Sequence, residues 1–161
     1  MGDFDIGISC FALSYLGCGF LLKEFYSLLG DKGQIGLTTS SVNSLPEWHS
    51  VFLEPLSQFA SEANLLEEMP ANAADLKTRM EEVGFRNVEV VSKNIPLRFK
   101  DSREAASFLI SSGWLSGYFF RLQDKELRRN LLEWALNVIE EHRNGSEIMT
   151  SIEFLIAWNH P

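Results

Sequence analysis

The sequence is poor in the residues that build metal centres and disulfide scaffolds. It holds two cysteines and three histidines in 161 residues. Cys10 and Cys18 form no CxxC pair, and His49, His142 and His160 lie far apart without metal-ligand spacing. We therefore expect two reduced thiols and no metal. Membrane-length apolar runs are missing too. Met1-Gly2-Asp3 carries no basic region, and the apolar stretch after it is interrupted by Asp5, Ser9 and Ser14, which excludes a signal peptide and a membrane span. A cytoplasmic protein is the expectation. No run of like charge occurs: 14 basic residues face 22 acidic ones, for a net charge of −8. The arginines, Arg79, Arg86, Arg98, Arg103, Arg121, Arg128, Arg129 and Arg143, are scattered among acids. Such a field repels phosphate backbones and anionic lipid, so neither nucleic acid nor a membrane surface is expected as a partner. Internal repeats, low-complexity segments and linkers are absent as well. What remains is 45% hydrophobic residues in a chain of one-domain length, enough to bury a real core, so residues 1–161 read as a single domain.

The pattern along the chain is strand, helix, strand. Phe4-Asp5-Ile6-Gly7-Ile8-Ser9-Cys10 reads as a buried strand, and Phe11 to Leu16 as the turn at its carboxyl end. After Gly17-Cys18-Gly19, Leu21, Leu22, Phe25, Leu28 and Leu29 recur along one helical face, and Gly30 ends it. Gln34 to Ser40 is a second strand. A βαβ unit with connections this short crosses over right-handed and sets two parallel strands in one sheet. Ser44-Leu45-Pro46-Glu47 has the cap, the proline and the glutamate of a helix start, leading into Trp48, His49 and on to Leu56, with Pro55 as a break. Glu62 to Ala71 reads as mixed helix and loop. Ala73 to Val83, closed by Gly84, is a clear amphipathic helix. A strand over Asn87 to Val91, continuing towards Phe99, comes next. Asp101-Ser102-Arg103-Glu104 caps a helix to Ser111, Gly113 to Phe120 is an aromatic loop or broken helix, and Asp124 opens a longer helix to Glu141, stopped at Asn144-Gly145. The last segment, Ile148 to Trp158, alternates as a long strand.

Gly17-x-Gly19 follows a strand and opens a helix, as a dinucleotide-binding turn does, but Leu22 stands where the third glycine belongs. The next strand ends in Thr38-Thr39-Ser40, with no acid to grip a ribose. Glycines that simply start a helix are the preferred reading, and a nicotinamide-dependent oxidoreductase rests on this turn alone.

The ordered set of segments carries more. Phe4 to Leu13, a helix ending in Phe25-Tyr26-Ser27-Leu28-Leu29-Gly30-Asp31-Lys32-Gly33, and Gln34 to Thr39 resemble the fourth strand, following helix and fifth strand of class I S-adenosylmethionine-dependent methyltransferases. Asn43-Ser44-Leu45-Pro46-Glu47-Trp48-His49, the Leu76 to Gly84 helix with Phe85, and the late helix pair before a long last strand resemble the subgroup containing malonyl-acyl-carrier-protein O-methyltransferase. The resemblance covers nearly the whole chain. It implies the carboxyl-terminal portion of an α/β, Rossmann-like domain. That portion is a mixed sheet of about four strands in the family order 4-5-7-6, with helices on its faces and the last strand antiparallel. Helical insertions fall at about 44–70 and 101–143. The family's glycine-rich turn and the acid that ends its second strand would lie upstream of Met1.

The resemblance also implies a function and a site. The function is S-adenosylmethionine-dependent methyl transfer to a small-molecule or acyl-carrier-bound acceptor in a longer parent, the truncated domain alone being inactive. Residues at the carboxyl end of the family's fourth strand border the cofactor's sulfonium, which places Ser9, Cys10 and Phe11 there. Tyr15, Trp48, His49, Trp114 and Tyr118, with Phe119 and Phe120, are candidates to line the acceptor pocket, although aromatics at helical spacing are more often core. Methyl transfer needs donor and acceptor held in line and dry, and little acid/base chemistry, so no catalytic dyad is expected to stand out. The competing class is a non-catalytic binding or assembly module reusing half the fold. An unpaired hydrophobic strand from Phe4 to Cys10 would pair with another chain, so self-association through it is expected.

Overall fold

The structure is a computed structural model, and it describes residues 4–13, 17–48, 69–112 and 124–160. The helix expected beyond Trp48, most of the Glu62 to Ala71 stretch and the aromatic segment from Gly113 lie outside the described residues. The described elements are β1 (Ile6–Cys10), α1 (Cys18–Leu29), β2 (Gln34–Ser40), α2 (Ala73–Val83), β3 (Val88–Phe99), α3 (Ser102–Ser111), α4 (Lys125–Glu141), β4 (Arg143–Asn144) and β5 (Glu147–Asn159). They form one mixed sheet in the order β1-β2-β5-β3, with the two-residue β4 on β5. β1 and β2 are parallel, Ile6 opposite Gln34 and Cys10 opposite Thr38, whereas β5 runs antiparallel to β2, Gly36 opposite Trp158 and Ser40 opposite Phe154. Counted as the family counts its strands, this is the expected order 4-5-7-6.

Chain contacts divide the protein into two compact units, one of Met1–Ser44, Asn64–Ile95 and Ile152–Pro161, the other of Leu45–Ala63 and Pro96–Ser151. In the first, α1 and α2 lie on the same side of the sheet. Their Leu22, Leu29, Leu76 and Met80 meet Ile35, Leu37, Val88, Leu155 and Ala157 in one buried cluster. Each of these large side chains contributes about 1.5–3 kcal/mol by leaving water. Local chemistry sets the ends of α2. The Asn72 side chain accepts from Asp75 N–H at 3.0 Å, and Gly84, at φ 123°, donates to Met80 and Glu81 carbonyls. A Cβ at Gly84 would stand 2.5 Å from the Tyr26 ring, which itself packs edge-on against Phe85.

The pleat decides what β1 buries. A Cβ on Gly7 would meet the Phe25 ring at 2.7 Å, so Gly7 and Ser9 face α1. Ile6, Ile8 and Cys10 therefore point the other way and are exposed, Ile6 at 64% and Ile8 at 74%. This corrects the expectation of a buried strand. Apolarity predicted burial on both faces, but among the described residues of this unit both helices cover one face only. At the other end of the sheet, Asn159 is buried at the start of β2. Its Oδ1 accepts from Ile35 N–H at 2.7 Å and its Nδ2 donates to Gly33 carbonyl at 3.2 Å.

In the second unit, α3 packs on α4 through buried Ala105, Leu109, Ala135, Val138 and Ile139. Asp101 caps α3 by accepting from Glu104 N–H at 2.8 Å, while Glu104 reaches back to Lys100 N–H at 2.8 Å, as that sequence pattern foretold. Trp48, Phe99 and Phe108 stack in series with centroids 5.9 and 5.4 Å apart. Asn144-Gly145 does more than stop a helix. With Gly145 at φ 66°, a two-residue loop returns β4 onto β5 as a hairpin, which adds the short fifth strand.

Candidate functional site

Parallel β1 and β2 end on the same side of the sheet, and open α/β sheets bind ligands beyond the carboxyl ends of their strands. Three features gather there in the first unit. Ser9 is buried, and its Oγ has no hydrogen-bond partner among the described residues. A buried hydroxyl without a partner costs about 1–3 kcal/mol. One residue on, the Cys10 thiol is free and exposed. Phe11 takes φ 56°, a left-handed conformation that is strained for a bulky side chain. It is held there by its N–H, which donates to the Thr38 carbonyl at 2.8 Å, and by its ring, edge-on to Phe154 at 5.2 Å. The ring remains 39% exposed. A half-open aromatic face thus borders the end of β1.

Past the end of β2 stands a polar cluster that sequence reasoning missed. The Glu153 carboxylate of β5 accepts from Ser41 Oγ, from Ser92 Oγ at 2.6 Å and from Asn43 Nδ2 at 3.1 Å. Ser44 Oγ exchanges hydrogen bonds with the Glu153 backbone, its carbonyl and its N–H each at 3.2 Å. Ser44 is therefore engaged with β5, and Leu45 beside it has φ 57°, which corrects the capping role expected of this serine. Burial by itself would push the Glu153 carboxyl up, but the three donated hydrogen bonds together outweigh it and hold it below the usual carboxylate range. An acid between the apolar Ile152 and Phe154 was the signal in the sequence.

Of the acceptor-pocket candidates, Trp48 is described, and it belongs to the second unit. It is 1% exposed, stacked on Phe99, with its indole N–H unpaired among the described residues. Tyr15, His49, Trp114 and Tyr118, with Phe119 and Phe120, lie outside the described residues. Gly17 precedes α1 at φ 85° without a side-chain cap, in keeping with glycines that start a helix. A cleft of about 570 Å³ opens beside α1 and α2, lined by Lys23, Asp75, Arg79 and Glu82. Its charges compensate one another, Arg79 bonding Asp75 at 3.0 Å. Among the described residues no group of three or more histidines, cysteines and acids converges as a metal site, and no helix is long and apolar enough to cross a membrane.

No protein-family model matches the sequence, and no curated protein matches it. Solved structures do. YcgJ from Bacillus subtilis superposes with a TM-score of 0.51 at 12% identity, over 100% of this chain and 67% of its own. The candidate methyltransferase BH2331 of Bacillus halodurans gives 0.50 at 15% identity, over 97% of this chain and 68% of its own. Phosphoethanolamine N-methyltransferase 2 from Haemonchus contortus, solved with S-adenosyl-L-methionine, gives 0.44 at 15% identity over 98% of this chain. The chain spans about a third of the length of that enzyme. The class follows from the sheet order and the first two superpositions: the chain has the Rossmann-like fold of class I methyltransferases. More narrowly, it carries the part of that fold from the fourth strand to the last.

Proposed function

We propose that this chain forms the acceptor-side part of an S-adenosylmethionine-dependent methyltransferase acting on a small-molecule or acyl-carrier-bound acceptor. The observation that carries the reading is the buried Ser9 hydroxyl at the carboxyl end of β1, without a partner among the described residues and flanked by exposed Cys10 and left-handed Phe11. When bound, the cofactor supplies an electrophilic methyl group, so the protein contributes position and dryness more than proton transfer. Ser9 offers a hydroxyl without another partner among the described residues, and Phe11 offers an aromatic face that excludes water. The remaining grip on the cofactor falls to the part of the fold that this chain does not span, and the 161 residues alone are inactive.

The test is release of S-adenosylhomocysteine by the chain joined to the sequence upstream of Met1 in its gene, with malonyl-thioester and small hydroxy-acid acceptors. Turnover is expected, and Phe11→Ala is expected to lower kcat/KM about tenfold through loss of positioning. Turnover that ignores Phe11 and Ser9 would refute the site. A second reading, a non-catalytic assembly module, is favoured by the exposed apolar face of β1.

A further inference from the structure

His160 follows β5, two residues after Trp158, and one of its ring nitrogens stands between two partners that make opposite demands. The Trp158 indole Nε1 lies 3.1 Å from His160 Nε2, and Glu89 Oε1 of β3 lies 3.2 Å from the same atom. An indole N–H only donates, so it needs the lone pair that Nε2 offers when the neutral ring carries its proton on Nδ1. An ionised carboxylate only accepts, so it needs the proton that Nε2 carries in the charged ring. One nitrogen cannot serve both. The pleat brings the three together. Val88, Val90, Leu155 and Ala157 belong to the core on the helix side, so Glu89 and Trp158 turn to the other side of neighbouring strands. His160 N–H donates to the Asn87 carbonyl at 3.3 Å and holds the backbone there. The surrounding charges are accounted for. β2, opposite Trp158, has none in Gln34–Ser40, Arg86 stands beside Tyr26, Glu153 of β5 is bonded to Ser41, Ser92 and Asn43, and Lys93 lies four residues further along β3. Among the described residues, Glu89 is the charged side chain bonded to the ring.

We propose that His160 is a proton-operated switch, bonded to Trp158 when neutral and to Glu89 when charged. Imidazole is the side chain whose charge ordinarily changes between about pH 5 and 8. Taking up a proton breaks the bond to Trp158, frees the indole N–H and ties the residue after β5 across to β3. β3 ends the sheet order among the described strands, so the charged form adds a tie to a strand with one ladder neighbour. The two partners act on the proton with opposite signs: the Glu89 carboxylate favours the charged ring, and the Trp158 N–H favours the neutral one. Removing one partner or the other therefore moves the titration in opposite directions. His160 and Glu89 are both more than half exposed, so each bond changes proton affinity by about twofold to fivefold.

Nuclear magnetic resonance of the full 161-residue chain tests this, following the Trp158 indole N–H and the His160 ring from about pH 4.5 to 8.5. The two signals are expected to move together with one midpoint. Glu89→Gln is expected to lower the ring's proton affinity about twofold to fivefold, and Trp158→Phe to raise it by a similar factor, with the far-ultraviolet circular dichroism unchanged. His160→Gln is expected to abolish the titration of the indole. An indole N–H that does not follow the ring in the wild type overturns the proposal, and that result needs no variant. So does an indole that still titrates in His160→Gln, which would assign its response to another group. A midpoint that either partner variant leaves in place, or that both move in the same direction, overturns it as well.

Discussion

Ser9→Ala removes a single oxygen, and the structure assigns that change opposite signs in two assays. The Ser9 Oγ is buried and has no partner among the described residues. Its desolvation costs about 1–3 kcal/mol that no hydrogen bond returns. Alanine keeps the Cβ and the backbone preference of the strand, and the void left by one oxygen is small. The net expectation is a stabilisation of about 1 kcal/mol. With an m-value of about 2 kcal/mol/M in urea, the unfolding midpoint rises by about 0.5 M. Circular dichroism at low micromolar protein reads this without interference from association. On the proposed function, the same change in the cofactor-binding protein is expected to remove a hydrogen bond to the ligand and to weaken S-adenosylmethionine about fivefold to tenfold. A midpoint that falls by a similar amount would show that the hydroxyl is already partnered in the free chain, and the argument for the site would fail.

Three further changes probe the frame around that site. Asn159→Ala leaves Ile35 N–H and Gly33 carbonyl buried and unpaired, and is expected to cost about 2–4 kcal/mol in urea denaturation; a loss below about 0.5 kcal/mol would mean that these groups find other partners. Gly84→Ala places a Cβ against the Tyr26 ring at a positive φ and is expected to cost about 2–3 kcal/mol, whereas an unchanged midpoint would refute the fixed position of Tyr26. Glu153 titrates below an ordinary carboxylate when folded, so its contribution is complete above the unfolded carboxylate pKa and is lost as pH falls through the folded one. The urea midpoint of the wild type should therefore drop more steeply than that of Glu153→Gln on acidification. Parallel curves would show that the Ser41, Ser92 and Asn43 bonds do not hold the carboxylate.

Elements governed by local chemistry were legible in the sequence. Asp101 with Glu104, Gly84 after Val83 and the alternation to Trp158 each specify a cap, a stop or a strand within a few residues, and the fold follows them. The order of the sheet came from the resemblance, since nothing in Ile148 to Trp158 states that it inserts between β2 and β3. What local pattern could not give was the neighbourhood of each face. Ile6 and Ile8 look like core residues because apolarity encodes a preference for burial, while actual burial depends on which elements cover that side. Ser44 fits a helix start in sequence, yet its hydroxyl bonds a strand residue more than a hundred positions away. The resemblance points to Ser9 by position alone, whereas the burial of its hydroxyl on the α1 side follows from the pleat that packs Gly7 on Phe25.

The central claim is that these residues hold one side of an S-adenosylmethionine site that another part of the fold completes. Calorimetric titration of S-adenosylmethionine into the 161-residue chain, and into the chain joined to the sequence upstream of Met1 in its gene, tests it most directly. The account predicts no measurable binding to the first and stoichiometric binding to the second, weakened by Ser9→Ala. Tight binding to the 161 residues alone, or no binding to either protein, would contradict it.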